Sequence, residues 1–382
     1  QVADKVQGIP PSGIRAFFDL VIGRDDVISL GVGEPDFSTP WRVREQALFR
    51  LSRGETSYTS TSGLLSLRKA IARYLYERFG VEADPEREML ITVGVSEGLD
   101  LALRALLNPG DEVIIWSPSY VAYAPLVTLA GGMPVMLDTS AAEEFRLDLE
   151  KLNGLITPRT KAFFFNYPNN PTGATLARED LVGVARLCVA HGIVMLSDEV
   201  YGELTHDGKH TSLAALPEAA GWTLLLSGFS KAFAMTGWRI GYACGPSEII
   251  AAMTKIHQYS IMCAPIMGQR AAEAALTEGI EDMEQMCEVY RQRRNVIVQG
   301  LNAIGLPCHK PAGAFYAFPS IAHTGLDEIE FCRRLLEQES VAIVPGSAFG
   351  EAGRGYVRMA YAVGFETIER ALEGIGRFLK RL

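Results

Sequence analysis

Short apolar runs separated by longer stretches of helical period set the rhythm of the middle of the chain. Seven of these runs read as strands: residues 89–93, 112–116, 132–137, 161–165, 193–197, 223–227 and 239–243. Several are continuously apolar rather than alternating, the pattern of strands covered on both faces. Helical segments lie between them. In residues 97–107, Leu99, Leu103 and Leu106 fall on one face at i, i+4 and i+7, and Asn108-Pro109-Gly110 stops the segment. Residues 178–191 form another such segment, ended by Gly192. Strand–helix alternation sustained in this way predicts an α/β fold built on a mainly parallel, doubly wound sheet.

The pattern changes towards the C-terminus. A long charged helix over 280–303 leads to a strand at 314–318, a helix at 328–339, a short strand at 342–344 and the run 356–362. That is the outline of a smaller α+β domain. Residues 1–45 carry Pro10, Pro11, Pro35 and Pro40 with little periodicity, as expected of an arm packed on the rest. The expected division is an arm contributing to the small domain over 1–45, a large domain over 46–285 and a small domain over 286–382.

Composition narrows the class. At 48% hydrophobic and 21% charged, the 382 residues suit a soluble protein with a large core. The net charge of −9 has the wrong sign for a nucleic-acid partner. Six scattered cysteines without a C-x-x-C pair read as reduced thiols of a cytoplasmic protein, not as a disulfide framework or metal site. No apolar run approaches the ~18 residues needed to span a bilayer. The segment after Gln1, with Asp4 and Lys5, lacks the apolar core of a secretory signal, so no membrane partner is expected.

The polar motifs fall in one kind of place. Gly94-Val95-Ser96-Glu97-Gly98 follows the first strand candidate and Ser117-Pro118-Ser119-Tyr120 the second. Asn166-Tyr167-Pro168-Asn169-Asn170-Pro171-Thr172-Gly173, Asp198-Glu199-Val200-Tyr201 and Gly228-Phe229-Ser230-Lys231 follow the fourth, fifth and sixth. Turns of this composition connect strands to helices anyway. Five of them at the carboxyl ends of strands in one sheet describe a polar pocket, since open α/β sheets bind ligands at that edge.

Single motifs leave alternatives open. Residues 94–98 match a G-x-S-x-G nucleophile elbow, which raises a serine hydrolase using Ser96 with Asp198 and His257 or His309. The same serine suits an anion site at a helix N-terminus, or a plain helix cap. Gly31-Val32-Gly33 has Asp36 where a dinucleotide fingerprint needs its third glycine, so that reading fails. His206 and His210 flank the turn residues Asp207-Gly208 and read as solvated loop histidines. Trp116, Phe163, Phe164 and Phe165 read as core. Lys231 stands beside buried sequence, where an unpaired ammonium is costly. It is either a surface lysine at a strand end or a Schiff-base lysine, whose desolvation makes its amine nucleophilic.

At this point a family resemblance takes over. Gly31-Val32-Gly33-Glu34-Pro35-Asp36, Tyr58, residues 94–98, 166–173 and 197–201, Ser230-Lys231, Gly237-Trp238-Arg239-Ile240-Gly241 and Tyr356-Val357-Arg358-Met359-Ala360 follow one another in a known order. The ordered set resembles the class I/II aminotransferases, fold-type-I enzymes that use pyridoxal 5′-phosphate. The resemblance implies a mainly parallel seven-stranded sheet in the large domain and a ping-pong exchange between an amino acid and a 2-oxo acid. It implies Lys231 as the cofactor-bearing lysine and proton carrier, Asp198 against the pyridine nitrogen, and Tyr201 with Asn170 at the phenolic oxygen. Val95, Ser96, Ser230 and Arg239 would hold the phosphate, and Tyr120 would lie on the ring face. Arg358 would clamp the substrate carboxylate with help from Gly33 and Asn170, and Tyr58 would reach the phosphate of a neighbouring subunit, making a homodimer with shared sites. Relatives often carry Ser or Asn three or four residues before the lysine. Here Ser227 and Gly228 stand there, which leaves open the hydroxyl that meets the phosphate.

The arm sequence Ser12-Gly13-Ile14-Arg15 resembles the branch of aspartate, aromatic and N-acetyl-diaminopimelate aminotransferases. In that branch Arg15 either meets a distal carboxylate or solvates the arm. Aspartate is the first choice of donor and 2-oxoglutarate of acceptor. A C–S lyase or racemase would use the same cofactor residues. A transcription regulator of the same fold would need a DNA-binding segment before it, for which the arm is too short.

Overall fold

The computed structural model describes residues 1–11, 13–14, 23–24 and 26–382. Strand β1 is the short Ile28–Ser29. The seven apolar runs form β2 (Met89–Thr92), β3 (Glu112–Ser117), β4 (Met133–Asp138), β5 (Thr160–Asn166), β6 (Val194–Asp198), β7 (Thr223–Gly228) and β8 (Gly241–Cys244). They make one sheet in the order β2-β8-β7-β6-β5-β3-β4. Strand β8 runs antiparallel to both its neighbours, β2 and β7, and the others all run one way. The segment from β7 to β8 holds only the single turn Thr236–Trp238 instead of a crossover helix, so the chain returns antiparallel. The expected strand at 239–243 starts late, at Gly241. Arg239 adopts a positive φ of 54°, which takes it out of the ladder.

The continuous apolar runs are explained by cover on both faces. Side chains alternate across a strand, so Phe163 and Phe165 point to one side and Phe164 to the other. The first two pack with Leu181, Val184 and Cys188 of the helix Arg178–Ala190. Phe164 packs with Leu99 and Leu103 of Gly94–Leu106 and with Ile250 and Met253 of Ser247–Ser260. Trp116 and the three phenylalanines are core, as their runs predict.

The C-terminal region follows the sequence outline. Helices Ile280–Ala303, Glu328–Glu339 and Phe365–Leu379 surround β9 (Tyr316–Ala317), β10 (Val341–Ala342), β11 (Val344–Pro345) and β12 (Val357–Ala360). Asp327 caps the second helix, accepting the amides of Ile329 and Glu330 at 3.0 and 2.8 Å. The expected strand at 342–344 divides at Ile343. Its first part pairs in parallel with β1, and its second joins the antiparallel sheet β11-β12-β9. The β1–β10 pairing carries the segment after it, Gly31 to Asp36, onto this region. Among the described residues no helix is long and apolar enough to cross a membrane.

Candidate active site

Because β2, β3, β5, β6 and β7 run in one direction, the five polar turns that follow them open on one edge. There they line a cavity of about 580 Å³, closed by Ile14, Val32, Gly33 and Glu34 of the arm and by Tyr316 and Arg358 of β9 and β12. Val95, Ser96, Tyr120, Asn170, Asp198, Tyr201, Ser230, Lys231 and Arg239 all line it. Ser227 points elsewhere, its Oγ donating to the Glu199 carbonyl at 3.4 Å, so of the two serines just before Lys231 it is Ser230 that lines the cavity.

Asp198 ends β6 and is 4% exposed. Its Oδ2 accepts from the Tyr123 hydroxyl at 2.8 Å and its Oδ1 from the Val200 amide at 3.1 Å. Burial pushes the carboxyl up to about 6, although these two donors favour the charged form. Asn166, at the end of β5, donates Nδ2 to the Asp198 carbonyl at 2.8 Å and accepts the Asn170 amide at 2.9 Å. That folds the loop 166–173 back so that Asn170 faces inward. Below it Glu199 is a buried hub, accepting from Ser197, Tyr167 and Ser212 and paired with His210 at 2.7 Å.

Lys231 Nζ donates to the Gly33 carbonyl at 2.7 Å. Burial, with the Arg358 and Arg239 cations, brings its ammonium down to about 8 against the pull of Glu34 and Asp198. Arg358 is 2% exposed and has no carboxylate partner among the described residues. Its Nη1 donates to Asn170 Oδ1 at 3.0 Å and its Nη2 to the Gly31 carbonyl at 2.6 Å, while its Nε has no partner. A buried cation held only by neutral acceptors is a receptor for an anion.

Arg239 leans on the start of the helix Gly94–Leu106. Its Nη1 donates to the Thr236 carbonyl at 2.9 Å, and a Cβ added at Gly94 would stand 2.7 Å from its Nη2. That helix begins without a side-chain cap, which removes the plain-cap reading of Ser96 and leaves leading amides to face the cavity. Glu97 instead accepts the Val93 amide at 2.6 Å and pairs with His257 Nδ1 at 2.8 Å.

Two expectations need correction. His206 and His210 are not solvated. His206 lies against the Ala314 carbonyl at 2.6 Å, with burial lowering its imidazole to about 4, and the His210 side chain is 3% exposed on Glu199. The turn at Asp207-Gly208 points its own residues outward while the flanking rings fold in. The hydrolase reading also loses its base. His257 is taken by Glu97, His309 packs on Phe145, and no described histidine lines the cavity. Tyr58 stands apart, 82% exposed beside a separate depression with Val93 and Cys263. Arg15 lies outside the described residues.

Asn166, Tyr123 and Tyr316 are site residues without an assigned role in the sequence reading. Asn166 opens the polar run 166–173 and is legible there. Tyr123 stands one helical turn after Tyr120, a spacing that could have raised it. Tyr316 has no local signal, because its partner Tyr201 is 115 residues away in the chain.

A family model described as "Aminotransferase class I and II" matches residues 25–375. The aspartate aminotransferase of Pyrococcus abyssi is 44% identical over 99% of this chain and 98% of its own length. The aromatic-amino-acid aminotransferase 2 of Thermococcus litoralis is 42% identical over the same shares. The solved aspartate aminotransferase of Thermus thermophilus with maleate superposes with a TM-score of 0.94, at 41% identity over 99% of each chain.

Proposed function

The chain belongs to the class I and II aminotransferases, which depend on pyridoxal 5′-phosphate, and on that premise we propose that it transfers the amino group of an L-amino acid to a 2-oxo acid by a ping-pong cycle. L-Aspartate is the first donor and 2-oxoglutarate the acceptor. One observation carries the reading: a lysine with a lowered pKa, a buried carboxylate and two arginines without carboxylate partners among the described residues share one cavity.

The residues fit the cofactor. The uncapped start of Gly94–Leu106, Ser230 and the Arg239 guanidinium supply donors for a phosphate at one end. Asp198 and Tyr201, which line the same cavity as Asn170 and Tyr120, would supply a buried anion and a hydroxyl for the ring, and Tyr120 would lie on its face. When bound, the cofactor supplies an aldehyde for amine attachment and a cationic ring that withdraws electrons from the substrate Cα. Asp198, ionised above about pH 6, would be the anion that keeps the ring nitrogen protonated. Burial and the neighbouring cations bring Lys231 to about 8, so once displaced from the cofactor its amine would take the proton from Cα and give it to the former aldehyde carbon on the other side of the shared nitrogen. Burial holds the Tyr201 phenol far above its ordinary range, so it stays a donor. Arg358 takes the substrate α-carboxylate with two parallel hydrogen bonds, beside the Gly33 backbone and Asn170.

The maleate complex of the Thermus relative supports a dicarboxylate donor, and the aromatic relative supports phenylalanine or tyrosine as second substrates. The exposed Tyr58 and Ile261, which line one depression, support a homodimer in which Tyr58 reaches the phosphate held by a second copy. The free cysteines support a reducing, cytoplasmic setting.

The test is the visible spectrum of the purified protein after incubation with pyridoxal 5′-phosphate, followed by L-aspartate, L-phenylalanine or L-alanine. A yellow band bleached by L-aspartate and restored by 2-oxoglutarate, with one glutamate formed per oxaloacetate, is expected. A protein that stays colourless refutes the cofactor site. Ammonia, sulfide or D-amino acid as the product refutes transamination in favour of a lyase or racemase.

A further inference from the structure

We infer that Tyr316 is a positioning residue with two separable effects: it fixes the plane of the Arg358 guanidinium, and it strengthens Tyr201 as a hydrogen-bond donor. The inference rests on the roles proposed above for Arg358 and Tyr201 and adds a residue that acts through both.

The placement comes from sheet register. Tyr316 in β9 lies opposite Ala360 in β12, and Arg358 is two residues along β12 on the same face. Diagonal neighbours of this kind are within reach of aromatic and long side chains. The Arg358 guanidinium carbon accordingly stands 4.5 Å from the Tyr316 ring centre and 4.8 Å from that of Phe349. With no carboxylate among the described residues to orient it, this arginine is held by the Asn170 and Gly31 oxygens at its tips and by two aromatic faces. A carboxylate clamp needs its plane fixed before the ligand arrives, or ordering it reduces affinity. The rings provide that without neutralising the charge, as a counter-ion would.

The other end of the same side chain meets Tyr201. The two hydroxyls are 2.8 Å apart, and the Tyr316 hydroxyl has no other hydrogen-bond partner among the described residues. If Tyr201 donates its single proton into the cavity, Tyr316 must donate to Tyr201. Hydrogen bonds in series polarise one another, so Tyr201 is a stronger donor than an isolated phenol. Gly33 leaves room for this arrangement, because a Cβ there would run into the Tyr316 hydroxyl.

Three variants separate the effects in the cofactor-loaded enzyme: Tyr316→Phe, Tyr316→Leu and Phe349→Leu. The readouts are the pH midpoint of the visible absorption, measured without substrate, and KM and kcat for the best amino donor. Weakening the donor to the cofactor's phenolic oxygen leaves more negative charge there. The adjacent lysine nitrogen then holds its proton more tightly, and the midpoint rises. Tyr316→Phe is expected to raise it by about 0.3–0.7 pH unit, with KM within about twofold because the ring remains. Tyr316→Leu gives the same rise and a KM increase of about 3–10-fold, from the lost cation–π contact. Phe349→Leu raises KM while the midpoint stays. A Tyr316→Phe midpoint indistinguishable from the parent overturns the hydroxyl role, and a Tyr316→Phe KM as high as that of Tyr316→Leu overturns the ring role. Should Tyr316→Leu fail to fold, the other two decide. If the unsubstituted protein forms no visible band with the cofactor, the functional reading fails instead, and the two failures are distinct.

Discussion

Replacing Asp198 by Asn should make the cofactor-free protein more stable while disabling it. Asn keeps the shape of the side chain: one oxygen still accepts the Val200 amide, and the Tyr123 hydroxyl can turn to accept from the new NH₂ group. What changes is the charge. Burial raises the carboxyl from an ordinary 3.8 to about 6. Above pH 6 the folded protein therefore carries a charge that it would shed more readily than the unfolded chain does. The difference of about two units, at 1.36 kcal/mol each, bounds the cost at ~3 kcal/mol. For a chain of 382 residues this is an upward shift in Tm of about 2–4 °C at pH 7.5. A group with a raised folded pKa lowers stability as pH climbs through the window from 3.8 to 6. The advantage of Asp198→Asn should accordingly be full at pH 7.5 and vanish near pH 4. Turnover should move the opposite way. Removing one member of a buried ion pair with the ring nitrogen costs about 3–5 kcal/mol, or roughly 10²–10⁴ in kcat at 1.36 kcal/mol per decade. The assays are thermal melts of cofactor-free protein across pH and coupled detection of oxaloacetate from L-aspartate. A variant that melts below the parent at pH 7.5, or one that keeps more than a tenth of the parental kcat, would refute the reasoning.

Further outcomes follow from the same geometry. Lys231→Ala should abolish turnover while the protein still folds, as read by circular dichroism. In the cofactor-free parent, labelling of Lys231 by an amine-reactive reagent, read by mass spectrometry, should rise through about pH 8 rather than 10.5. Arg239→Gln should weaken cofactor binding by about 10–100-fold, the worth of a charge-assisted contact to phosphate, measured by equilibrium dialysis; unchanged affinity would remove Arg239 from the phosphate site. Gly33→Ala must displace the Tyr316 hydroxyl and with it the ring over Arg358, so the pH midpoint of the visible absorption and the KM for every amino donor should both rise. Arg15→Ala tests substrate choice: a KM rise for L-aspartate alone supports a contact with the distal carboxylate, and KM values left equally unchanged for acidic and neutral donors deny it.

Much of this protein is local and hence readable in one dimension. Strand runs such as 112–116 and 161–165 are apolar because both faces are covered, and the turns after them carry Ser96, Asn170, Asp198 and Lys231 because loops at that sheet edge hold the ligand groups. Their order along the chain was enough for the family resemblance, and the match over residues 25–375 agrees with it. The antiparallel course of β8 was hidden, since its four residues are as apolar as any parallel strand and only the missing crossover helix sets its direction. The histidines at 206 and 210 misled for a similar reason. A turn is legible from Asp207-Gly208, but whether its flanks face water depends on Glu199 and Ala314 arriving beneath them.

The sequence by itself determined the alternation of elements, the edge at which the chemistry collects and the identity of the titratable groups. Tertiary structure decided their state. Lys231 is brought towards neutral amine, Asp198 is raised, and Arg358 is buried against neutral acceptors only because β6, β9, β12 and the Gly31–Gly33 backbone close on one another from distant parts of the chain. Side-chain type follows from composition. A pKa, a clamp plane or a hydroxyl pair such as Tyr201–Tyr316 follows from what excludes water around it, and that is a property of packing across the fold.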